Sequence, residues 1–113
     1  MALVSIIVPC FNASNTILQT LNSIQKQELD DFECLIINDF SNDNSEKKII
    51  KFAQLDSRFK LINLECNKGV SFARNKGLEN SSGSYVTFLD SDDMWHRNFL
   101  QSSIDIREGS DLQ

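Results

Sequence analysis

Leu3 to Pro9 is an almost unbroken run of apolar, largely β-branched residues closed by the chain's only proline, the pattern of a strand buried on both faces. Polar positions 12–15 follow, and then Ile17, Leu18, Leu21 and Ile24 recur at helical spacing to about Gln27. The alternation then repeats. Phe32 to Asn38 is a second apolar run, followed by the turn-rich stretch DFSNDNS and a predicted helix with Ile49, Ile50 and Ala53 facing inward. Phe59 to Leu64 predicts a third strand, Asn67-Lys68-Gly69 a turn, and Val70, Ala73, Gly77 and Leu78 a third helix. A fourth strand, Tyr85 to Leu89, runs directly into Asp90-Ser91-Asp92-Asp93, and a last helix is expected near Asn98 to Arg107 before a polar end, Gly109 to Gln113.

Strands alternating with helices in this way imply parallel crossovers and a sheet covered on both faces, an α/β, doubly wound, mostly parallel architecture. With 113 residues, one core is expected, and residues 1–113 read as a single domain. Hydrophobic residues at 41% and charged residues at 24% are ordinary for a folded globular domain. A net charge of -5 works against wrapping a polyphosphate backbone, so nucleic acid is not an expected partner. Cys10, Cys34 and Cys66 are odd in number and widely spaced, with no metal-binding pair among them, and read as reduced, mostly core thiols. The opening residues lack the basic start and cleavage site of a secretory leader, and with the thiols they point to the cytoplasm.

In open α/β sheets ligands bind beyond the carboxyl ends of the strands. The residues found there are Pro9, Cys10, Phe11 and Asn12; then Asp39, Ser41 and Asp43; then Asn67 and Gly69; then Asp90, Asp92 and Asp93. Three carboxylates within four residues repel one another, and an oxygen-ligated Mg or Mn ion would neutralise them. Such an ion takes its remaining ligands from water and a diphosphate. The bland alternatives are a solvated turn at Asp90–Asp93, an Asx turn joining Asp39 to Ser41, helix capping by Asp43 and Ser45, and a surface salt bridge for Arg74. No Gly-rich dinucleotide fingerprint and no P-loop is present.

Taken together, VSIIVPCFN, LIINDFSNDNS, NKGVSFARNKGLENSSGSYVTFLDSDD and the continuation WHRNFL resemble the nucleotide-sugar-binding half of family 2 glycosyltransferases, with the GT-A fold. The resemblance runs through almost the whole chain. It implies that Pro9, Phe11 and Asn12 cradle the nucleoside, that Asp39 contacts the base, and that Asn67 and Arg74 lie on the nucleotide side. It further implies that Asp90-Ser91-Asp92 is the Asp-x-Asp motif holding the metal, Mn or Mg, and the donor diphosphate, with Asp92 and Asp90 as metal ligands and Asp93 in support. The chain departs from the family pattern at Phe40, where a glycine is usual.

The expected donor is a UDP-sugar and the expected acceptor a saccharide or lipid-linked saccharide, in inverting transfer for cell-envelope polysaccharide synthesis at the inner face of a membrane. The family's general base lies beyond residue 113, so this chain is expected to be truncated after the Asp-x-Asp motif, without an acceptor half and with little or no transfer of its own. Apolar surface left at the edge is expected to promote homodimerisation. Two other readings compete: a haloacid-dehalogenase-like phosphatase with Asp90 as nucleophile and Asp92 as acid and base, and a non-catalytic nucleotide-sugar-binding module.

Overall fold

In the computed structural model, which describes residues 2–111 and their side chains through Ile106, the apolar runs form strands and the periodic stretches between them form helices. The order is β1 (Val4–Cys10), α1 (Ile17–Gln25), β2 (Phe32–Asn38), α2 (Ser45–Leu55), β3 (Phe59–Asn63), α3 (Val70–Asn80), β4 (Tyr85–Phe88) and α4 (Phe99–Asp111). The first strand runs one residue past Pro9, and α4 continues through Gly109 into the stretch expected to be a polar end. Of that stretch, Leu112 and Gln113 lie outside the described residues.

The four strands are parallel and ordered β3-β2-β1-β4. The chain therefore winds outward from β1 to β3 and then returns to place β4 on the other side of β1. Because β1 and β2 are buried along their whole length, alternate residues serve two cores. Ile6, Val8, Cys34 and Ile36 pack under α1, α2 and α4 through Ile17, Leu21, Ile24, Ile49, Leu100 and Ile104. Ile7, Leu35 and Ile37 face the opposite way, toward Ala73 of α3. The sheet is doubly wound, with a single described helix covering its second face.

Ile50, expected to face inward, does not, and other apolar helix positions join it at the surface. Leu18, Ile50, Val70 and Leu78 are exposed, whereas their neighbours Ile17, Ile49, Ala73 and Gly77 are buried. On α1 the inward face is Ile17, Thr20, Leu21 and Ile24, and Leu18, about 100° on from Ile17, falls outside it, as Ile50 does beside Ile49. On the second face, α3 approaches so closely that a Cβ on Gly77 would lie 2.5 Å from Cγ2 of Ile7. The exposed apolar positions Val86 and Phe88 sit on β4.

At the amino ends of the strands, the buried Glu33 joins three segments. Its Oε2 accepts hydrogen bonds from the Ser5 hydroxyl at 2.6 Å, the Ser82 backbone N–H at 2.7 Å and the Ser82 hydroxyl at 2.9 Å. Lys60 Nζ lies 3.5 Å from Oε1. Burial alone would raise the pKa of this carboxyl, but the donors from Ser5 and Ser82 and the Lys60 ammonium outweigh it and hold it below the usual range.

Candidate functional site

The winding reverses between β1 and β4, and that reversal opens a crevice at their carboxyl ends. A cleft of about 490 Å³ occupies it, lined by Pro9, Phe11, Asn12, Thr16, Asp39, Arg74, Asp90, Ser91 and Asp92 among others. Larger grooves lie elsewhere, two of about 650 Å³ between α1 and residues 94–97 and between β4 and α4, and one of about 530 Å³ along α2; none gathers the strand-end loops. Eight of the nine residues expected to contact the donor or its metal thus share one cleft, and Asp93, expected in support, does not line it. Asn67 is the exception among the nine, since its Nδ2 donates to the backbone carbonyl and to Oδ2 of Asp39, both at 3.2 Å.

Asp39 is buried and anchors the start of α3. Its Oδ1 accepts the Lys68 N–H at 2.7 Å and its Oδ2 the Gly69 N–H at 2.9 Å. Gly69 holds φ +92°, a conformation that residues with a side chain rarely adopt, which turns both N–H groups toward the carboxylate. The turn after β2 is closed by another residue: Asn38 Oδ1 accepts the Ser41 N–H at 3.1 Å, three residues on, in place of the Asx turn expected from Asp39 to Ser41. Phe40 takes the position usually held by glycine with φ +60°, a left-handed conformation. For a bulky residue that costs about 1–2 kcal/mol.

The loop after β1 is sewn to the loop after β2. Asn12, itself left-handed at φ 49°, donates its N–H to Ser41 Oγ at 3.0 Å and accepts the Asn42 N–H on Oδ1 at 2.9 Å. Ala13 N–H reaches Ser45 Oγ at 2.9 Å, and Ser14 N–H reaches Asp43 Oδ2 at 3.1 Å. Sequence reasoning assigned Asp43 and Ser45 to capping α2. Asp43 does accept the Ser45 N–H at 2.9 Å, but neither it nor Ser45 is the N-cap, which is Asn44, and their other bonds brace the first loop. Desolvation of Asp43 is outweighed by the hydrogen bonds from Ser45 and Ser14, which lower its pKa to about 2. No local pattern reveals such bonds, because their partners are about thirty positions apart.

Opposite these loops, ligand atoms of Asp90, Asp92 and Asp93 lie within 4.8 Å of one another, and all three residues are exposed. Arg74 Nη2 sits 3.3 Å from Asp90 Oδ1. One guanidinium against three carboxylates leaves two negative charges uncompensated, which is the charge of one divalent cation. A set of hard carboxylate oxygens open to solvent suits Mg or Mn, which retain waters and share a substrate diphosphate. The Arg74 Nε is buried and has no hydrogen-bond partner among the described residues, while the residue itself lines the cleft. Cys10 and Cys34 are buried thiols whose pKa burial raises, while Cys66 is exposed, unlike the core position expected for most of the thiols.

The sequence model of glycosyl transferase family 2 matches residues 5–106. The chain belongs to that family. Among fellow members, WfgD of Escherichia coli, a UDP-Glc:alpha-D-GlcNAc-diphosphoundecaprenol beta-1,3-glucosyltransferase, is 44% identical over 102 residues, 90% of this chain and 40% of WfgD. AmsB of Erwinia amylovora, an amylovoran biosynthesis glycosyltransferase, is 33% identical over 92% of this chain and 35% of AmsB. Residues 1–349 of S. aureus TarS in complex with UDP-GlcNAc match the fold with a TM-score of 0.87 and 30% identity, over 96% of this chain and 32% of that one. This glycosyltransferase chain therefore spans about two fifths or less of the length of these relatives. Family membership removes the phosphatase reading of Asp90 and Asp92.

Proposed function

We propose that this chain binds a UDP-sugar in the cleft between β1 and β4 through a divalent cation, Mn or Mg, held by Asp92 and Asp90. The observation that carries this is the placement of the three-carboxylate cluster across one cleft from the braced Asn12 and Asp39 loops. Asp39 supplies base recognition. Its two oxygens offer about four acceptor positions, three are taken by Asn67, Lys68 and Gly69, and the one left accepts the imide N–H of uracil, which cytosine lacks. Phe11, half exposed at the rim, lies against the base, and the Arg74 guanidinium, beside Asp90 in the cleft, meets the donor's phosphates. Asn67 acts through Asp39. When bound, the cation stabilises the negative charge that develops on the leaving nucleoside diphosphate.

The reaction class is inverting transfer to a saccharide or lipid-linked acceptor in cell-envelope polysaccharide synthesis, at the cytoplasmic face of a membrane. The names of WfgD and AmsB support that reading. No helix of the described residues is long and apolar enough to cross a membrane. The exposed Val86, Phe88 and Phe99 beside the free edge of β4 support self-association of the isolated chain. None of the cleft residues is assigned as the general base, and this chain alone is expected to bind donor with little or no transfer.

The test is calorimetric titration of UDP with Mn present and again with EDTA, repeated on Asp92→Ala. Binding that needs Mn and is lost in the variant is the expected result. Binding indifferent to EDTA, or equally tight in Asp92→Ala, overturns the proposal, as does robust sugar transfer catalysed without the cation.

A further inference from the structure

The segment from Ser91 to Asn98 belongs to no strand or helix, so its backbone polar groups need partners outside a ladder. They find them on α1. Thr16 Oγ1 donates to the Ser91 carbonyl at 2.9 Å, and the Thr20 hydroxyl lies 2.9 Å from that carbonyl and 2.7 Å from the Asp93 carbonyl, its single proton shared between them. Ser23 Oγ accepts the Trp95 N–H at 3.2 Å. Just past the helix, Gln27 donates from Nε2 to the His96 carbonyl at 2.6 Å and accepts the Leu100 N–H on Oε1 at 3.0 Å. The Glu28 N–H closes the series on the Arg97 carbonyl at 2.7 Å.

Positions 16, 20, 23 and 27 are separated by four, three and four residues, one stripe of a helix. The partners advance together, from Thr16 with Ser91 through Thr20 with Asp93 and Ser23 with Trp95 to Glu28 with Arg97, so the segment runs alongside α1 in the same direction and is gripped at nearly every second residue. Two features mark the grip as more than packing. Thr16 occupies the N-cap of α1 but makes no capping bond with its side chain, and its hydroxyl serves the aspartate loop instead. Thr20 is completely buried among apolar residues, where its hydroxyl is tolerated because two carbonyls of the aspartate loop satisfy it.

We propose that the polar stripe Thr16, Thr20, Ser23 and Gln27 is a positioning device for the metal-binding loop. By holding the Ser91 and Asp93 carbonyls against α1, it fixes the backbone on both sides of Asp92 and presents Asp90 and Asp92 to the cleft as one preorganised ligand pair. Thr20 is its central positioning residue. The same helix begins at the loop braced to Ser41, Asp43 and Ser45, so α1 references the base-binding and metal-binding sides of the cleft to one rigid element. This inference rests on the donor-site reading above.

The test compares wild type with Thr20→Val, Thr20→Ser and the milder Thr16→Val. Mn affinity in the presence of UDP is read by electron paramagnetic resonance of the free ion, and amide hydrogen exchange is read over residues 91–97. Partners that orient metal ligands typically change metal affinity about 10–100-fold, so Thr20→Val is expected to weaken Mn binding about tenfold or more and to speed exchange in the segment. Thr20→Ser is expected to restore both, and Thr16→Val to shift both in the same direction by less. A Thr20→Val protein that melts earlier but binds Mn as tightly as wild type would show a merely structural role and overturn the proposal; should that variant not fold, wild-type affinity in Thr16→Val does the same. Wild type binding no Mn with UDP overturns the donor-site reading and this inference together, whereas tight binding in wild type and variants alike overturns only this one.

Discussion

Replacing Gly77 by alanine sets two known terms against each other. In an exposed helix the change would stabilise by about 1 kcal/mol, since glycine is the poorer helix former. Here the new methyl would lie 2.5 Å from Cγ2, 2.9 Å from Cγ1 and 3.1 Å from Cδ1 of Ile7, against a comfortable carbon separation of about 3.5–4.0 Å. Ile7 is wholly buried in a central strand and β-branched, so its first two carbons cannot swing away. Relief therefore requires α3 to lift by about 1 Å, and overpacking of this kind costs about 1–3 kcal/mol. A lift that large places the cost toward the upper end, and Gly77→Ala is expected to destabilise by about 1–2 kcal/mol net. Urea unfolding followed by far-ultraviolet circular dichroism measures it. Because α3 also carries Arg74 and the Gly69 turn that meets Asp39, UDP affinity should fall in the same variant. In a cycle with Ile7→Ala the penalty should shrink, since the clash partner is gone. A Gly77→Ala protein more stable than wild type, or a penalty unchanged in the Ile7→Ala background, would refute the close-packing argument.

The pKa of Asp43 lies near 2 in the fold against an ordinary value of about 4, so the folded state favours its charged form. Its contribution is complete above about pH 4 and is lost as pH falls toward 2; the acid limb of the urea midpoint between pH 4 and 2 should be shallower in Asp43→Asn, and an identical limb would remove the loop brace as its cause. Asp56, held near 2 chiefly by hydrogen bonds from Arg58, should leave part of that limb in place. With a thiol-reactive chromophore, native protein should titrate one cysteine promptly, Cys66, and the other two only on unfolding; prompt reaction in Cys66→Ser would contradict the burial of Cys10 and Cys34.

The α/β alternation was legible because β1 and β2 are buried on both faces, which leaves uninterrupted apolar runs, and the strand-end residues followed from where those runs stop. Helix faces were less legible. The pairs Ile17-Leu18 and Ile49-Ile50 offer two apolar candidates for one seam, and only the packing of the sheet decides between them. The site was legible as a set of positions but not as a network. That Asp39 anchors α3 and that Asp43 braces Ser14 depend on bonds between residues far apart in sequence, while the choice of Asn38 over Asp39 to hold the Ser41 N–H is one of several pairings that local spacing allows. The stripe of Thr16, Thr20, Ser23 and Gln27 did leave a helical spacing, masked because polar residues on a helix ordinarily face solvent.

The knot at Glu33 bears on the order in which the molecule assembles. β1, β2 and β3 pair through neighbouring crossovers, whereas β4 must find β1 across a gap of eighty-one positions, from Val4 to Tyr85. Long-range closure is the slow part of folding, and the amino-terminal part of a chain leaves the ribosome first. The first three strands can therefore settle while the aspartate loop is still being made, with Glu33 waiting at the sheet's amino end for Ser82 to arrive. When Ser82 and Gly83 dock on Glu33 and Ser5, β4 is drawn into register and Asp90 to Asp93 are delivered beside the loop after β1. On the proposed donor-site reading, capture of a divalent ion would then report completed assembly, since a partly folded chain holds the Asn12 and Asp39 loops without the Asp90–Asp93 cluster.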